Sequence, residues 1–94
     1  MRRERLTARI TGRVQGVGFR WWVRRHADGL DLTGWVMNAD DERAVELVAE
    51  GAAEALDELE RLIQQGPPGA LVEAVERHRE PASGEFDGFG IVRP

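Results

Sequence analysis

The sequence predicts an α+β fold in which two helices cover one face of an antiparallel sheet. Three observations support this prediction. Apolar residues alternate with polar ones in several short segments, and they recur every three or four positions in two longer segments. The two patterns follow one another in the order β-α-β-β-α-β, with a short strand at the end. With 94 residues, the chain is expected to form one domain over 1–94.

The first half of the chain is predicted to hold three strands and one helix. Residues 5–11 alternate apolar and polar side chains and form the first strand. A helix is expected to begin near Arg20 and to stop at Gly29. Residues 32–38 and 44–50 are predicted as strands two and three, joined by the short polar turn "ADDE". The apolar stripe of the helix comprises Phe19, Trp22, Val23, His26, Ala27 and Leu30.

The second half adds a helix and two strands. The segment "AAEALDELERLIQQG", after Gly51, places an apolar stripe opposite acidic residues and ends at Gly66. Residues 70–80 are predicted as a fourth strand that needs a bulge, because Val72 and Val75 share a face only across an extra residue. A final short edge strand is expected at the end of the chain. It contains Phe89 and Ile91.

This element order is the split βαβ arrangement of ferredoxin-like sandwiches, with sheet order 4-1-3-2. Right-handed crossovers make strands one and two parallel, with strand three between them. The glycine-rich segment after strand one and Asn38 at the end of strand two are therefore expected at the same sheet edge. Two strand spacings separate them, roughly 10 Å.

Composition restricts the classes of protein. The chain is 41% apolar and 32% charged, lacks cysteine, and has neither a long apolar run nor a signal-peptide pattern, so we expect a soluble cytoplasmic protein without membrane contact. Residues 1–25 carry eight arginines and one glutamate, whereas the remainder carries five arginines and sixteen acidic residues. This asymmetry favours a local anion site. A nucleic-acid-binding domain is usually basic overall, so we expect no nucleic acid partner.

The stretch "GRVQGVGFR", residues 12–20, is the candidate anion site. Its glycines permit positive φ, so the backbone amides from Val14 to Arg20 can converge on one point just before a helix N-terminus. The Arg20 guanidinium can bind a phosphate with two parallel hydrogen bonds. From the spacing alone, a plain strand-to-helix turn explains the glycines equally well. The Gly-Lys-Ser/Thr ending of a nucleotide-binding P-loop is missing.

The segments "ITGRVQGVGFR" and "GWVMN" together resemble the acylphosphatase family. The resemblance implies a ferredoxin-like enzyme that hydrolyses acyl phosphates to a carboxylate and inorganic phosphate, with no metal and no cofactor. It also implies that Arg20 binds the phosphate together with the loop amides, and that Asn38 orients the attacking water. The phosphate-binding residues implied in this way are Val14, Gln15, Gly16, Val17, Gly18, Phe19 and Arg20. The chain departs from the family pattern after Asn38, where Ala39 replaces a common hydroxyl residue and the turn lacks glycine.

Other candidate residues favour structural roles. Asp40, Asp41 and Glu42 lack the spacing of a calcium loop, so we interpret them as a solvated turn. His26 and His78 have no neighbouring ligand pattern. Trp22 and Trp35 are expected in the core. Trp21 lies off the apolar stripe, where it either contacts an acyl group or is a partly buried flanking residue.

Three functional hypotheses remain open at this stage. The first is a monomeric acylphosphatase, the second a non-catalytic phosphate-binding module on the same fold, and the third a domain that handles carbamoyl phosphate.

Overall fold

The part of the chain that the structure describes forms one five-stranded sheet and two helices. The computed structural model describes residues 2–39 and 43–93. The elements in chain order are β1 (Arg3–Arg13), α1 (Phe19–Gly29), β2 (Thr33–Asn38), β3 (Ala44–Ala52), α2 (Ala53–Gln65), β4 (Leu71–Pro81) and β5 (Phe89–Ile91).

The strand order is β4-β1-β3-β2-β5, so the predicted 4-1-3-2 order is confirmed and β5 extends it. The four strands of the predicted order pair antiparallel, as expected. The short edge strand β5, for which no direction was predicted, runs parallel to β2. The chain path explains this direction. β4 runs antiparallel to β1, and β1 runs parallel to β2, so β4 ends at the side of the sheet where β2 begins. The chain crosses at that side and must start β5 there.

One apolar core lies between the sheet and both helices. The alternation in β1 turns Leu6, Ala8 and Ile10 inward, and all three are buried. Both helices contribute buried residues to the same cluster, which places them on one face of the sheet, as predicted. The helical residues in this cluster are Phe19, Val23, Ala27, Leu56, Leu59 and Ile63.

The predicted bulge in β4 is confirmed. Thr11 is paired with Ala74, but the next residue, Gly12, is paired with Val72, so Glu73 is the extra residue. This shift lets both Val72 and Val75 pack against the core.

Helix α1 begins at Phe19, in agreement with the predicted start near Arg20. Ala52 is predicted within the second helix, but it ends β3 and is the N-cap of α2. One tryptophan also differs from the prediction. Trp22 does pack against the core, but Trp35 does not belong to it. Trp35 precedes the fully buried Val36 and so projects from the opposite sheet face, where it lines a groove of about 450 Å³. In the described part of the chain, no helix is long and apolar enough to cross a membrane.

Candidate active site

The glycine-rich loop leaves β1 at a point where the backbones of two strands nearly touch. Gly12 has φ of 133°, and a Cβ built there would lie 2.1 Å from the Leu71 carbonyl oxygen of β4. Only glycine fits this contact. The loop then bends through residues 15–18, where Gly16 and Gly18 have φ of 75° and 78°. Gly18 is the N-cap of α1, and its carbonyl accepts the first helical hydrogen bond, from the Trp22 amide at 3.0 Å.

The loop presents a continuous row of free backbone donors. Within residues 2–39 and 43–93, the amides from Gln15 to Trp21 donate no hydrogen bond to a protein acceptor. The last of these amides belong to the first turn of α1, which has no preceding carbonyls to pair with. Clustered amides at a helix N-terminus carry partial positive charge. The arrangement therefore suits an anion.

The two ends of the predicted loop are buried, and the residues between them are partly or fully exposed. Val14 and Phe19 are almost fully buried and anchor the two ends of the loop. Gly16 and Gly18 are exposed, with no heavy atom within 4 Å of a Cβ built at either position. Only backbone therefore covers this side of the loop, which allows a small ligand to approach the amides.

Arg20 lies in the first turn of α1 and is partly exposed. No acidic residue occupies that turn. Among the described residues, the Arg20 guanidinium has no hydrogen-bond or ion-pair partner. This sets it apart from Arg5 and Arg9, which pair with Glu50 and Glu46 on the sheet. A cation beside a positive helix end gains nothing from the helix, so its charge is available to an anion bound at the loop.

Asn38 is the last residue of β2 and lies opposite Val45 of β3. Ala39 follows it, is buried, and donates a backbone hydrogen bond of 2.9 Å to the Ala44 carbonyl, which closes the β2–β3 hairpin. The turn residues Asp40, Asp41 and Glu42 lie outside the described residues, so their interpretation as a solvated turn stays a prediction.

The structure joins the loop to the hairpin through Gln15. Its Nε2 donates to the carbonyl oxygens of Ala39, at 3.0 Å, and Ala44, at 2.8 Å. A second contact is the hydrogen bond of 3.0 Å from the Gly12 amide to the Arg43 carbonyl. The loop of β1 and the end of β2 therefore meet at one edge of the sheet, as the topology predicts. Sequence reasoning considered only the Gln15 backbone and missed its side chain, because the partners lie 24 and 29 residues away.

The other candidate residues that the structure describes are not grouped as a metal site. In the described part of the chain, no three histidine or acidic side chains come together as possible metal ligands. The His26 ring lies 4.8 Å from that of Trp22, which supports its structural role. Trp21 is 62% exposed rather than partly buried, and the Arg24 guanidinium lies 5.7 Å from its ring centroid.

Comparison with known proteins gives a consistent result. The family model for acylphosphatase matches residues 6–91. The acylphosphatase of Salinibacter ruber is 49% identical over 96% of this chain and 94% of its own length. The crystal structure of Bacillus subtilis acylphosphatase superimposes with a TM-score of 0.90 and 36% identity, covering 95% of this chain and 98% of that one. Full-length HypF, in a phosphate- and nucleotide-bound form, contains a similar region with a TM-score of 0.86 and 27% identity. That match covers 96% of this chain and 12% of HypF.

The matched residues include the whole glycine-rich loop, Arg20 and Asn38, and the relatives are matched over nearly their full length. The chain therefore belongs to the acylphosphatase family, enzymes that hydrolyse acyl phosphates.

Proposed function

We propose that this chain hydrolyses acyl phosphates at the loop of residues 14–20, with Arg20 and the loop amides holding the phosphate and Asn38 orienting the water. The observation that carries the proposal is the row of unpaired amides from Gln15 to Trp21 beside the unpaired Arg20. The Gln15 side chain joins the loop that carries these donors to Ala39, directly after the strand that ends in Asn38.

The chemistry needs little beyond these groups. A carboxylate leaves readily with the electron pair of the broken P–O bond, so no general acid is required. Phosphoryl transfer through a loose transition state depends mainly on positioning and on stabilisation of the oxygen charges. Arg20 and the amides supply that positive charge, so the proposal requires neither a metal ion nor a cofactor.

The Asn38 carboxamide is not a base, but its oxygen can accept a hydrogen bond from water. Water held this way attacks the phosphorus opposite the leaving carboxylate, and its proton passes to a phosphate oxygen. The products are a carboxylate and inorganic phosphate.

We further infer a cytoplasmic monomer, one domain over 1–94, that acts on small-molecule acyl phosphates without a nucleic acid or membrane partner. The ion pairs of the sheet arginines support the absence of a nucleic acid partner. Arg5 and Arg9 pair with Glu50 and Glu46, which reduces the positive charge that β1 offers to a phosphate backbone.

The test is hydrolysis of benzoyl phosphate in metal-free buffer, with inorganic phosphate as a competitive inhibitor. Arg20→Gln removes two charge-assisted hydrogen bonds, and we expect turnover to fall by about 10³-fold or more and phosphate inhibition to disappear. Arg20→Lys should also fail, because an ammonium lacks the planar fork. Asn38→Ala should lower kcat by about 100-fold while KM changes little.

Arg25→Gln is the matched control, because Arg25 is exposed on the same helix and has no ion pair among the described residues. It should behave as wild type. Full turnover in the Arg20 or Asn38 variants would refute the assigned roles. A wild-type protein that binds phosphate without turnover would instead be a binding module.

A further inference from the structure

The Gln15 side chain forms hydrogen bonds with the β2–β3 hairpin, although its backbone belongs to the loop. Its Nε2 donates to two carbonyl oxygens of the β2–β3 hairpin, those of Ala39 and Ala44. Carbonyl oxygens only accept hydrogen bonds, so the nitrogen must face them, and both of its hydrogens are used. The other polar atom of the side chain, Oε1, only accepts hydrogen bonds, so it cannot donate one to an anion. The Gln15 side chain therefore serves the hairpin and not the phosphate.

The two acceptors lie on the two sides of the hairpin turn, Ala39 just after β2 and Ala44 at the start of β3. Ala39 directly follows Asn38, and the Ala44 carbonyl also accepts the Ala39 amide that closes the hairpin. Both alanines are buried, at 9% and 0% exposure. Without Gln15, the Ala39 carbonyl would have no partner among the described residues, and a buried carbonyl left in this way is unfavourable. Consecutive Cα atoms are separated by about 3.8 Å, so a displacement of Ala39 passes directly to Asn38.

From these contacts we propose, resting on the proposed function, that Gln15 is a positioning residue for Asn38. Its side chain fixes the distance between the water-orienting carboxamide and the phosphate loop. The Gly12 amide donates a hydrogen bond to the Arg43 carbonyl oxygen, on the β3 side of the hairpin. The Gln15 side chain makes its hydrogen bond to Ala39, on the β2 side, directly after Asn38. The methyl side chain of Ala39 cannot form a hydrogen bond to the loop, so the Gln15 side chain of the loop forms the link instead.

The proposal predicts a specific kinetic defect. Gln15→Met keeps the length of the side chain and its backbone amide but removes the donor. We expect kcat to fall by about 10- to 100-fold, since a misplacement near 1 Å has an effect of that size. The inhibition constant of inorganic phosphate should stay within about twofold of wild type, because the loop amides and Arg20 are intact. Gln15→Glu should be worse than Gln15→Met, because a carboxylate would face two carbonyl oxygens.

Gln65→Met is the matched control, because Gln65 is exposed at the end of α2. It makes the same chemical change without touching the site and should leave kcat unchanged. Circular dichroism and phosphate inhibition show whether each Gln15 variant is folded with a working loop.

A double-mutant cycle with Asn38→Ala separates this proposal from a general role in the loop. If Gln15 acts through Asn38, Gln15→Met should reduce kcat no further in the Asn38→Ala background. Additive losses, or a parallel loss of phosphate inhibition, would show that Gln15 serves the phosphate loop and would overturn the proposal. A wild-type kcat in Gln15→Met would overturn it as well. Absence of turnover in the wild-type protein would instead refute the proposed function, and the Gln15 proposal with it.

Discussion

Glu50 provides a prediction whose size follows from the structure. It lies near the C-terminal end of β3, just before α2 begins, and is fully buried. One carboxylate oxygen accepts hydrogen bonds from Arg5 Nε at 2.6 Å and from the Ser83 amide and hydroxyl, both at 2.9 Å. The other oxygen accepts the Gly84 amide at 2.9 Å. Arg5 also pairs with Glu85. This cluster fastens the segment 82–88 to the sheet.

The pKa of Glu50 gives the magnitude. Burial alone would raise this pKa, but the hydrogen bonds from the Ser83 amide, Arg5, the Gly84 amide and the Ser83 hydroxyl outweigh it and lower the pKa from 4.5 to about 2. The folded state therefore binds this proton less tightly than the unfolded chain does. The stabilisation is complete above pH 4.5 and is lost as the pH falls towards 2. At about 1.4 kcal/mol per pKa unit, it amounts to about 3 kcal/mol at neutral pH, of which about 2 kcal/mol is gone at pH 3.

Urea unfolding of wild type and Glu50→Gln at pH 7 and pH 3 tests this reasoning. Other carboxylates titrate in both proteins and cancel in the comparison. The free energy of unfolding should fall between the two pH values by about 2 kcal/mol more in wild type than in Glu50→Gln. Glu80→Gln is the matched control, because Glu80 is exposed on β4, and it should keep the wild-type pH dependence. Equal losses in wild type and Glu50→Gln would refute a low pKa for Glu50.

Two further substitutions test local backbone geometry. Asp31 follows α1 with φ of 57°. The amides of Asp31 and Leu32 donate hydrogen bonds to the carbonyl oxygens of Asp28, at 3.2 Å, and Ala27, at 2.9 Å, a helix ending that favours glycine. Asp31→Gly should therefore raise the free energy of unfolding by about 0.5–1 kcal/mol in urea titrations, and a loss of stability would contradict this. Gly12→Ala should lower both the stability and the turnover, because the alanine Cβ would collide with the Leu71 carbonyl oxygen. A melting temperature and a kcat equal to those of wild type would contradict this, since they would show that β4 can shift without cost.

The sequence was most informative where one strand or helix buries one face. The alternation in β1, the stripes of both helices and the bulge between Val72 and Val75 follow from local periodicity, and the structure confirms them. The direction of β5 did not follow, because it depends on the side of the sheet from which the segment 82–88 arrives.

Sequence reasoning placed Trp35 on the wrong face and made no prediction for the side chains of Glu50 and Gln15, whose partners are distant in the sequence. Trp35 alternates correctly with Val36 but is apolar on a solvent-facing surface, so its hydrophobicity suggested the wrong face. Glu50 is polar yet fully buried, because Arg5 of β1 and an irregular segment 33 and 34 residues later supply its hydrogen-bond donors. Gln15 belongs to a recognisable motif, but its side chain bonds across the sheet edge. Local patterns predict the face on which a residue lies. They do not show which remote group forms a hydrogen bond with a buried polar side chain.

The short strand β5 explains why Asn38 can be held on β2. Without β5, β2 would form the edge of the sheet, where backbone groups are unpaired and the strand opens easily. In the structure, β5 pairs with Gly34 to Val36, and hydrogen bonds of 2.9 Å link Gly34 to Gly88 and Val92 to Val36. The Glu50 cluster holds the segment that leads into β5, and Gln15 holds the opposite end of β2. The strand is thus held at both ends and along both sides. In the proposed mechanism the Asn38 carboxamide keeps water in line with a phosphate, which requires that the strand itself does not move.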